Sequence, residues 1–565
     1  MASFSSLLLS TSSIPSPACS FQAINHPKKL SCRASAEDQE SSRNISDAPG
    51  RRNLLIGLGG LYGATAGASL STDSNTAVAA PIQPPVLSQC GPATDVPSGV
   101  TPPNCCPPVS TSIDFQFPSS SSPLRVRPAA HLVDAEYIAQ YTKAVQLMKN
   151  LPASDPRNFT QQANVHCAYC DGAYDQAGFP GLELQIHNSW LFFPWHRFYL
   201  YFHERIMAKL LGDDSFALPF WNWDAPAGMQ IPSVYTNTSS SLYDPRRDPS
   251  HQPPVVVDLD FSPSTSTAET SCQVSIDDNL KIMYRQMITN GPTPELFLGE
   301  TYRAGDQPDP GAGSVENVPH GTVHIWTGDS RQPNREDMGV FYSAARDPIF
   351  FAHHSNIDRL WEVWKTLGGK NFTDSDWLNA GFYFYDENAK LVKVKVSDCL
   401  DTQKLRYAYQ NVGNLWINAK PTLGGTGKAV ALKTEPNFPV TLSTSNVVAS
   451  VKRPATSGRS GNEVEVLVVQ GIEFQRDSYT KFDVYVNASS SAALRPTVSE
   501  CAGSFAQVPH LHGKGQGAAG KTTLRLGITG LITEIGASGD DSLVVTLVPR
   551  FGTATIAGIS IVLSS

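Results

Sequence analysis

What this chain lacks narrows it first. It has no Lys/Arg-rich run able to track a phosphate backbone, and 43 Lys+Arg stand against 51 Asp+Glu, which argues against a nucleic-acid partner. No acid occurs before Glu37, while the opening is rich in Ser and holds Lys28 and Lys29, the composition of an organelle transit peptide. Nor is there a good bilayer span. The uncharged stretch from Leu54 to Leu70 is short and carries five glycines, which weaken both its helix and its apolarity. Preceded by Arg51-Arg52 and followed by Ala77-Val78-Ala79, it reads as a twin-arginine signal with a small-residue cleavage site rather than as a transmembrane anchor. Two signals in series imply plastid import and then transfer into the thylakoid lumen, with residues 1–79 removed and no stable membrane span in the mature form. On that route Asn158-Phe159-Thr160 and Asn371-Phe372-Thr373, although they fit the glycosylation pattern, never meet the glycosylation machinery.

A length of 565 residues, 41% hydrophobic and 17% charged, describes a soluble globular protein with more than one core. Cys90, Cys105, Cys106, Cys167 and Cys170 cluster, whereas Cys272, Cys399 and Cys501 stand alone. Adjacent cysteines rarely bridge each other because disulfide geometry is strict, so Cys105 and Cys106 look to Cys90 and Cys167 for partners. A zinc site is the competing reading, but only Cys167 and Cys170 have knuckle spacing.

Residues 80–423 read as one domain, entered through a Pro/Ser/Cys-rich arm. Apolar spacing predicts helices over Ala135–Leu151, Phe193–Leu211, Ile276–Ile288 and Pro348–Trp364, a four-helix bundle. Residues 424–461 are rich in Gly, Ser, Thr and Lys, a protease-sensitive linker with Arg453 and Arg459 as candidate cutting points. In residues 462–565, V-E-V-L-V-V-Q-G-I-E-F and S-L-V-V-T-L-V-P-R predict an all-β sandwich.

Six histidines carry the chemistry: His166, His187 and His196, then His320, His324 and His354. His320 and His324 are one helical turn apart and share a face; H-G-T-V-H lacks the glutamate of a zinc protease. Of His353 and His354 only one can aim at a common ion, because successive helical side chains diverge by about 100°. His187 and His196 cannot share a face of one helix, so His187 should precede the helix bearing His196, with His166 in the cysteine-stapled loop. Three imidazoles per ion and no carboxylate suit two copper ions. His203, His131, His251, His510 and His512 have no such company.

The runs P-H-G-T-V-H-I-W and F-F-A-H-H-S-N-I-D-R-L-W, with Q-I-H-N-S-W-L-F-F-P-W-H-R, resemble the plant polyphenol oxidases, catechol oxidases and tyrosinases with a dicopper centre. So do Asp376-Trp377-Leu378, Tyr407-Ala408-Tyr409 and K-F-D-V-Y-V-N. The resemblance implies His354, not His353, as the sixth ligand, disulfides Cys90–Cys106 and Cys105–Cys167, and a thioether joining Cys170 to His187. It implies that Glu316 positions a water that takes the phenolic proton, and that Phe341 overhangs the second copper and gates the pocket. Gly321 offers no side-chain amide to activate a monophenol. The implied activity is oxidation of o-diphenols to o-quinones with dioxygen reduced to water, possible o-hydroxylation of monophenols, and latency until a protease cuts the linker. A side chain of the Phe505–His512 loop would then plug the site. An oxygen carrier of the haemocyanin type is the alternative on the same ligands.

Overall fold

The computed structural model describes residues 80–564, apart from 95, 97–98, 264–274, 425–435, 456–462, 490–493 and 510–518. The proposed targeting segments, Arg459, His510 and His512 therefore lie outside the described residues. Among those described, no helix is long and apolar enough to cross a membrane.

The N-terminal arm is tied down at several points. Disulfides join Cys90 to Cys106 and Cys105 to Cys167, and such closures typically contribute about 2–4 kcal/mol each. Backbone bonds add to them, Gly91 N to Ala173 O and Thr94 N to Asp171 O, both 2.9 Å.

Helices over Ala135–Asn150 and Phe192–Leu211 form where the apolar spacing places them. The first is capped by Asp134, whose side chain accepts from Tyr137 N; the second ends at left-handed Gly212. The Ile276–Tyr284 helix runs on into a wider turn, Arg285–Thr289. At the start of the Ile349–Thr366 helix, Asp347 Oδ1 accepts from Ile349 N at 2.9 Å.

Two expectations need correcting. His166 lies on a helix, Phe159–Cys170, not in a loop; Asn158 caps it, and nine of its twelve residues are buried. A helix enclosed on nearly all sides shows no amphipathic stripe to find. The bundle around the site is consequently not the four helices expected. It comprises Phe159–Cys170, Phe192–Leu211, Ile349–Thr366 and a short helix, Thr322–Thr327, while Ala135–Asn150 and Ile276–Tyr284 carry none of the six histidines.

Buried charge clamps these helices together. Asp358, four residues after His354, pairs with Arg197 at 2.6 Å and Arg127 at 3.3 Å. It also accepts from Tyr407 and Tyr409 hydroxyls at 2.7 and 2.5 Å, which gives Tyr-Ala-Tyr its purpose. Arg127 meets Glu204 at 2.8 Å, so every charge has a partner. Arg359 pairs with Asp224 at 2.6 Å, and Trp416 Nε1 donates to the same carboxylate. Trp377 Nε1 donates to Trp190 O at 2.9 Å, fixing the chain before His196.

Two antiparallel sheets make the C-terminal domain. One orders Cys501–Gln507, Thr480–Val486, Ser542–Phe551 and Val447–Lys452; the other joins Ala519–Gly527, Val464–Gln475, Ala554–Ile556 and Val440–Leu442, with Gly558–Ser564 also on Val464–Gln475. Leu467, Val469, Phe482, Val484, Val545 and Leu547 fill the space between them. The sandwich thus begins inside the segment expected to be linker, because the short alternation V-V-A-S-V-K is hidden among Thr, Ser and Lys. Arg453 is not an exposed cutting point either. It is 9% exposed, pairs with Glu465 at 2.8 Å and donates to the carbonyls of Ala537, Ser538 and Asp540.

The K-F-D-V motif docks this domain on the helical one. Lys481 Nζ is 3.0 Å from Asp260 of the helical domain and 3.0 Å from Asp483, and Tyr479 donates to Phe261 O at 2.9 Å. Arg525 pairs with Glu300 across the same boundary.

Candidate metal centre

Two groups of buried histidines stand side by side. His166, His187 and His196 form one; His320, His324, His353 and His354 form the other; within each, one ring nitrogen per residue lies within 4.8 Å of the others. His166 projects from Phe159–Cys170, His196 from Phe192–Leu211, and His187 from the loop before it. His320 sits in the wide turn Glu316–Gly321 and His324 in Thr322–Thr327, one turn apart. The groups touch: His196 stacks on His354 with centroids 4.2 Å apart, and His187 lies 5.9 Å from His320.

Backbone carbonyls decide which nitrogen is bare in four of the rings. Nδ1 of His166 meets Phe341 O at 3.1 Å, His196 meets Phe192 O at 2.8 Å, His320 meets Glu316 O at 3.0 Å and His324 meets Met338 O at 2.8 Å. A carbonyl only accepts, so each Nδ1 keeps the proton and each Nε2 presents a lone pair. Nε2 of His166, His187, His196 and His320 has no hydrogen-bond partner, and the Nε2 atoms of His324 and His354 lie 3.3 Å apart. Burial, reinforced by neighbouring imidazoles, depresses the pKa of His166, His187, His320 and His354 well below the usual value. His196 is pushed down to about 3 and His324 to about 4, mainly by burial. Neutral imidazoles with bare nitrogens and no carboxylate fit a pair of copper ions.

His353 has the opposite tautomer. Trp223 Nε1, which can only donate, reaches His353 Nδ1 at 3.1 Å, so that nitrogen accepts and the ring proton sits on Nε2. No lone pair remains for a metal. His203, well away from both groups, stacks on Phe351 at 3.6 Å; His251 stacks on Trp326 at 4.5 Å.

Glu316 is buried, and Asn188 N donates to its Oε1 at 2.6 Å while Oε2 has no partner. Burial lifts its carboxyl well above the ordinary range. Phe341 stacks face to face on His187, centroids 4.1 Å apart and 10° between planes, and lies 6.2 Å from His166. It therefore covers the first triad, not the second as expected; its sequence proximity to His354 hid that its short helix packs against Phe159–Cys170. Cys170 is a buried thiol whose pKa burial raises well above normal. Its carbonyl accepts from Gln185 Nε2 at 2.9 Å, and Gln185 Oε1 lies 3.3 Å from His187 Nδ1.

The plug was expected from a side chain of the Phe505–His512 loop; the Phe505 ring itself is buried in the sandwich, stacked on Phe482 at 5.2 Å. Ala506 and Val508 reach the helical core instead. Val508 Cγ2 would stand 3.3 Å from a Cβ added at Gly321. Both lie in the expected loop, but no sequence pattern singled out which of its side chains reaches the site, nor the carbonyls of Phe192, Glu316, Met338 and Phe341. Only the i, i+4 spacing from Phe192 to His196 and from Glu316 to His320 could have pointed to two of those acceptors.

The chain is similar in every part to known proteins. The common central domain of tyrosinase matches residues 156–367, the polyphenol oxidase middle domain 371–422, and the chloroplastic polyphenol oxidase C-terminal domain 438–563. A chloroplastic polyphenol oxidase of Malus domestica is 52% identical over the whole of both chains. A chloroplastic polyphenol oxidase latent form of Prunus armeniaca is 50% identical, covering 91% of this chain and 87% of its own. Latent apple tyrosinase superposes with a TM-score of 0.76 at 54% identity, covering 80% of this chain and all of its own.

Proposed function

Since this chain belongs to the chloroplastic polyphenol oxidases of the tyrosinase family, we propose that it is a latent catechol oxidase in which His166, His187 and His196 hold one copper ion and His320, His324 and His354 the other. It is a copper oxidoreductase, and its reaction converts two o-diphenols and one O₂ to two o-quinones and two waters. The copper pair, when bound, supplies the two-electron exchange between diphenol and dioxygen. The observation that supports the ligand assignment is the convergence of the six rings, four of them, His166, His196, His320 and His324, aimed by a backbone carbonyl on Nδ1.

The remaining chemistry belongs to the protein. Glu316, lifted in pKa and with one oxygen unpartnered, is suited to take a phenolic proton, directly or through a water. Phe341 holds the His187 ring in plane and narrows the approach on that side. Gly321 leaves the second side open, which favours diphenol oxidation over monophenol hydroxylation. The family resemblance points to a thioether between Cys170 and His187, which would remove two hydrogens from the crosslinked peptide pair in a mass spectrum.

Latency rests on Ala506 and Val508 entering the helical core beside Gly321. Cutting would fall within the Gly/Ser/Thr/Lys-rich run 424–461, with Arg459 as the remaining candidate since Arg453 is pinned; the partners are then O₂, small phenols and an activating protease. The relatives are named chloroplastic, which supports a plastid, and the twin-arginine pattern supports the thylakoid lumen. Asn158 caps a helix and is buried, in keeping with an unglycosylated protein. Turnover of tyramine and 4-methylcatechol before and after linker cutting tests the reading: it requires a rise on cutting and a larger rate with the catechol.

A further inference from the structure

A sheet edge in the C-terminal domain is completed by side chains of the helical domain. Among the described residues Cys501–Gln507 is the outer strand of its sheet and pairs only with Thr480–Val486. On its other side Asn290 Nδ2 donates to Ala502 O at 2.9 Å, Asn317 Nδ2 donates to Ser504 O at 2.5 Å, and Asn317 Oδ1 accepts from Ala506 N at 3.0 Å. One carboxamide thus makes both bonds that the N–H and C=O of one residue in a parallel neighbouring strand would make. An edge left open would have to be blunted in some other way.

The position of Asn317 gives this pairing its meaning. The residue is 7% exposed, lies between Glu316 and the His320 end of the same turn, and grips residues 504 and 506. Val508, two residues on, is the side chain set against Gly321. At about 3.3 Å per extended residue, fixing Ala506 leaves Val508 little room to slide. Lys481 lies opposite Ala506 on the neighbouring strand, and its ion pair with Asp260 ties that inner strand to the helical domain, whereas Asn317 holds the outward edge directly.

We propose that Asn317 is the clasp that holds the shield at the metal turn, reading the backbone of Ser504–Ala506 and thereby seating Val508. The inference rests on the latency proposed above. Two ordinary hydrogen bonds are lost when the clasp is removed, so the open population of the uncut chain should rise roughly tenfold or more.

The test uses the copper-loaded full-length chain, assayed with 4-methylcatechol uncut and again after cutting the linker. Asn317→Ala removes the clasp. Ala506→Pro removes only the N–H on the strand's outward side, which an edge strand tolerates, and serves as an independent variant that leaves the metal turn untouched. Asn317→Ala is expected to raise the uncut rate at least tenfold and Ala506→Pro, which loses one of the two bonds, roughly fivefold, while the cut rate and copper content match wild type. If wild type is latent and either folded variant stays within about twofold of its uncut rate, the clasp is wrong though latency stands. If wild type is as fast uncut as cut, latency itself is wrong.

Discussion

Asp358→Asn probes how the fold supports the metal pair. The carboxylate lies between Arg197 at 2.6 Å and Arg127 at 3.3 Å, with side-chain exposure of 3%. Burial acting alone would raise its pKa, but Arg197 and then Arg127 overcome that and hold it below the ordinary value. The amide keeps the shape and removes the charge, leaving two buried guanidiniums facing each other with one anion fewer between them. Breaking such a group by removing one partner costs on the order of 3–5 kcal/mol. For a chain of this size about 2 °C of melting temperature is lost per kcal/mol, so a drop of roughly 6–10 °C is expected. Calorimetry of the copper-loaded protein reads the drop, and metal analysis reads its consequence, because Arg197 adjoins His196 and Asp358 shares a helix with His354. A melting temperature within about 2 °C of wild type would refute the clamp.

Further outcomes follow from the site. His354→Gln should lose one of two copper ions, whereas His353→Gln, whose ring holds its proton on Nε2, should keep both; metal analysis that reverses the two would overturn the tautomer argument. Glu316→Gln should retain both metals while diphenol turnover falls about 10²–10⁴-fold, the usual worth of a positioned base; an unchanged turnover removes Glu316 from the chemistry. In the metal-free protein the folded-state pKa values of His324 and His196 are depressed to about 4 and about 3. The unfolded chain therefore takes up protons first, and stability should fall as pH drops below about 6.5, by up to roughly 1.4 kcal/mol per pH unit for each such histidine. Urea unfolding at stepped pH measures this, and a flat profile down to about pH 4 would contradict the buried neutral rings.

The histidine pattern and the sandwich were legible because each leaves a spacing in the sequence, while the pairing of the cysteines came from the family resemblance. His320 and His324 announce one helical turn, and alternation in V-E-V-L-V-V marks a strand. What escaped was set by tertiary surroundings. The Phe159–Cys170 helix is buried on nearly every side and has no stripe, so His166 was placed in a loop. Val447–Lys452 gains its strand only by pairing with Ser542–Phe551, against a composition that suggests linker. Phe341 was misplaced because the ring it meets, His187, lies far away in sequence.

Metal content measured alongside oxidation reaches the central claim most directly. The purified full-length chain should bind two copper ions, lose both and all 4-methylcatechol oxidation on chelation, and recover both when copper is returned. Activity that survives complete removal of copper, or a site satisfied by a single zinc ion, would contradict it.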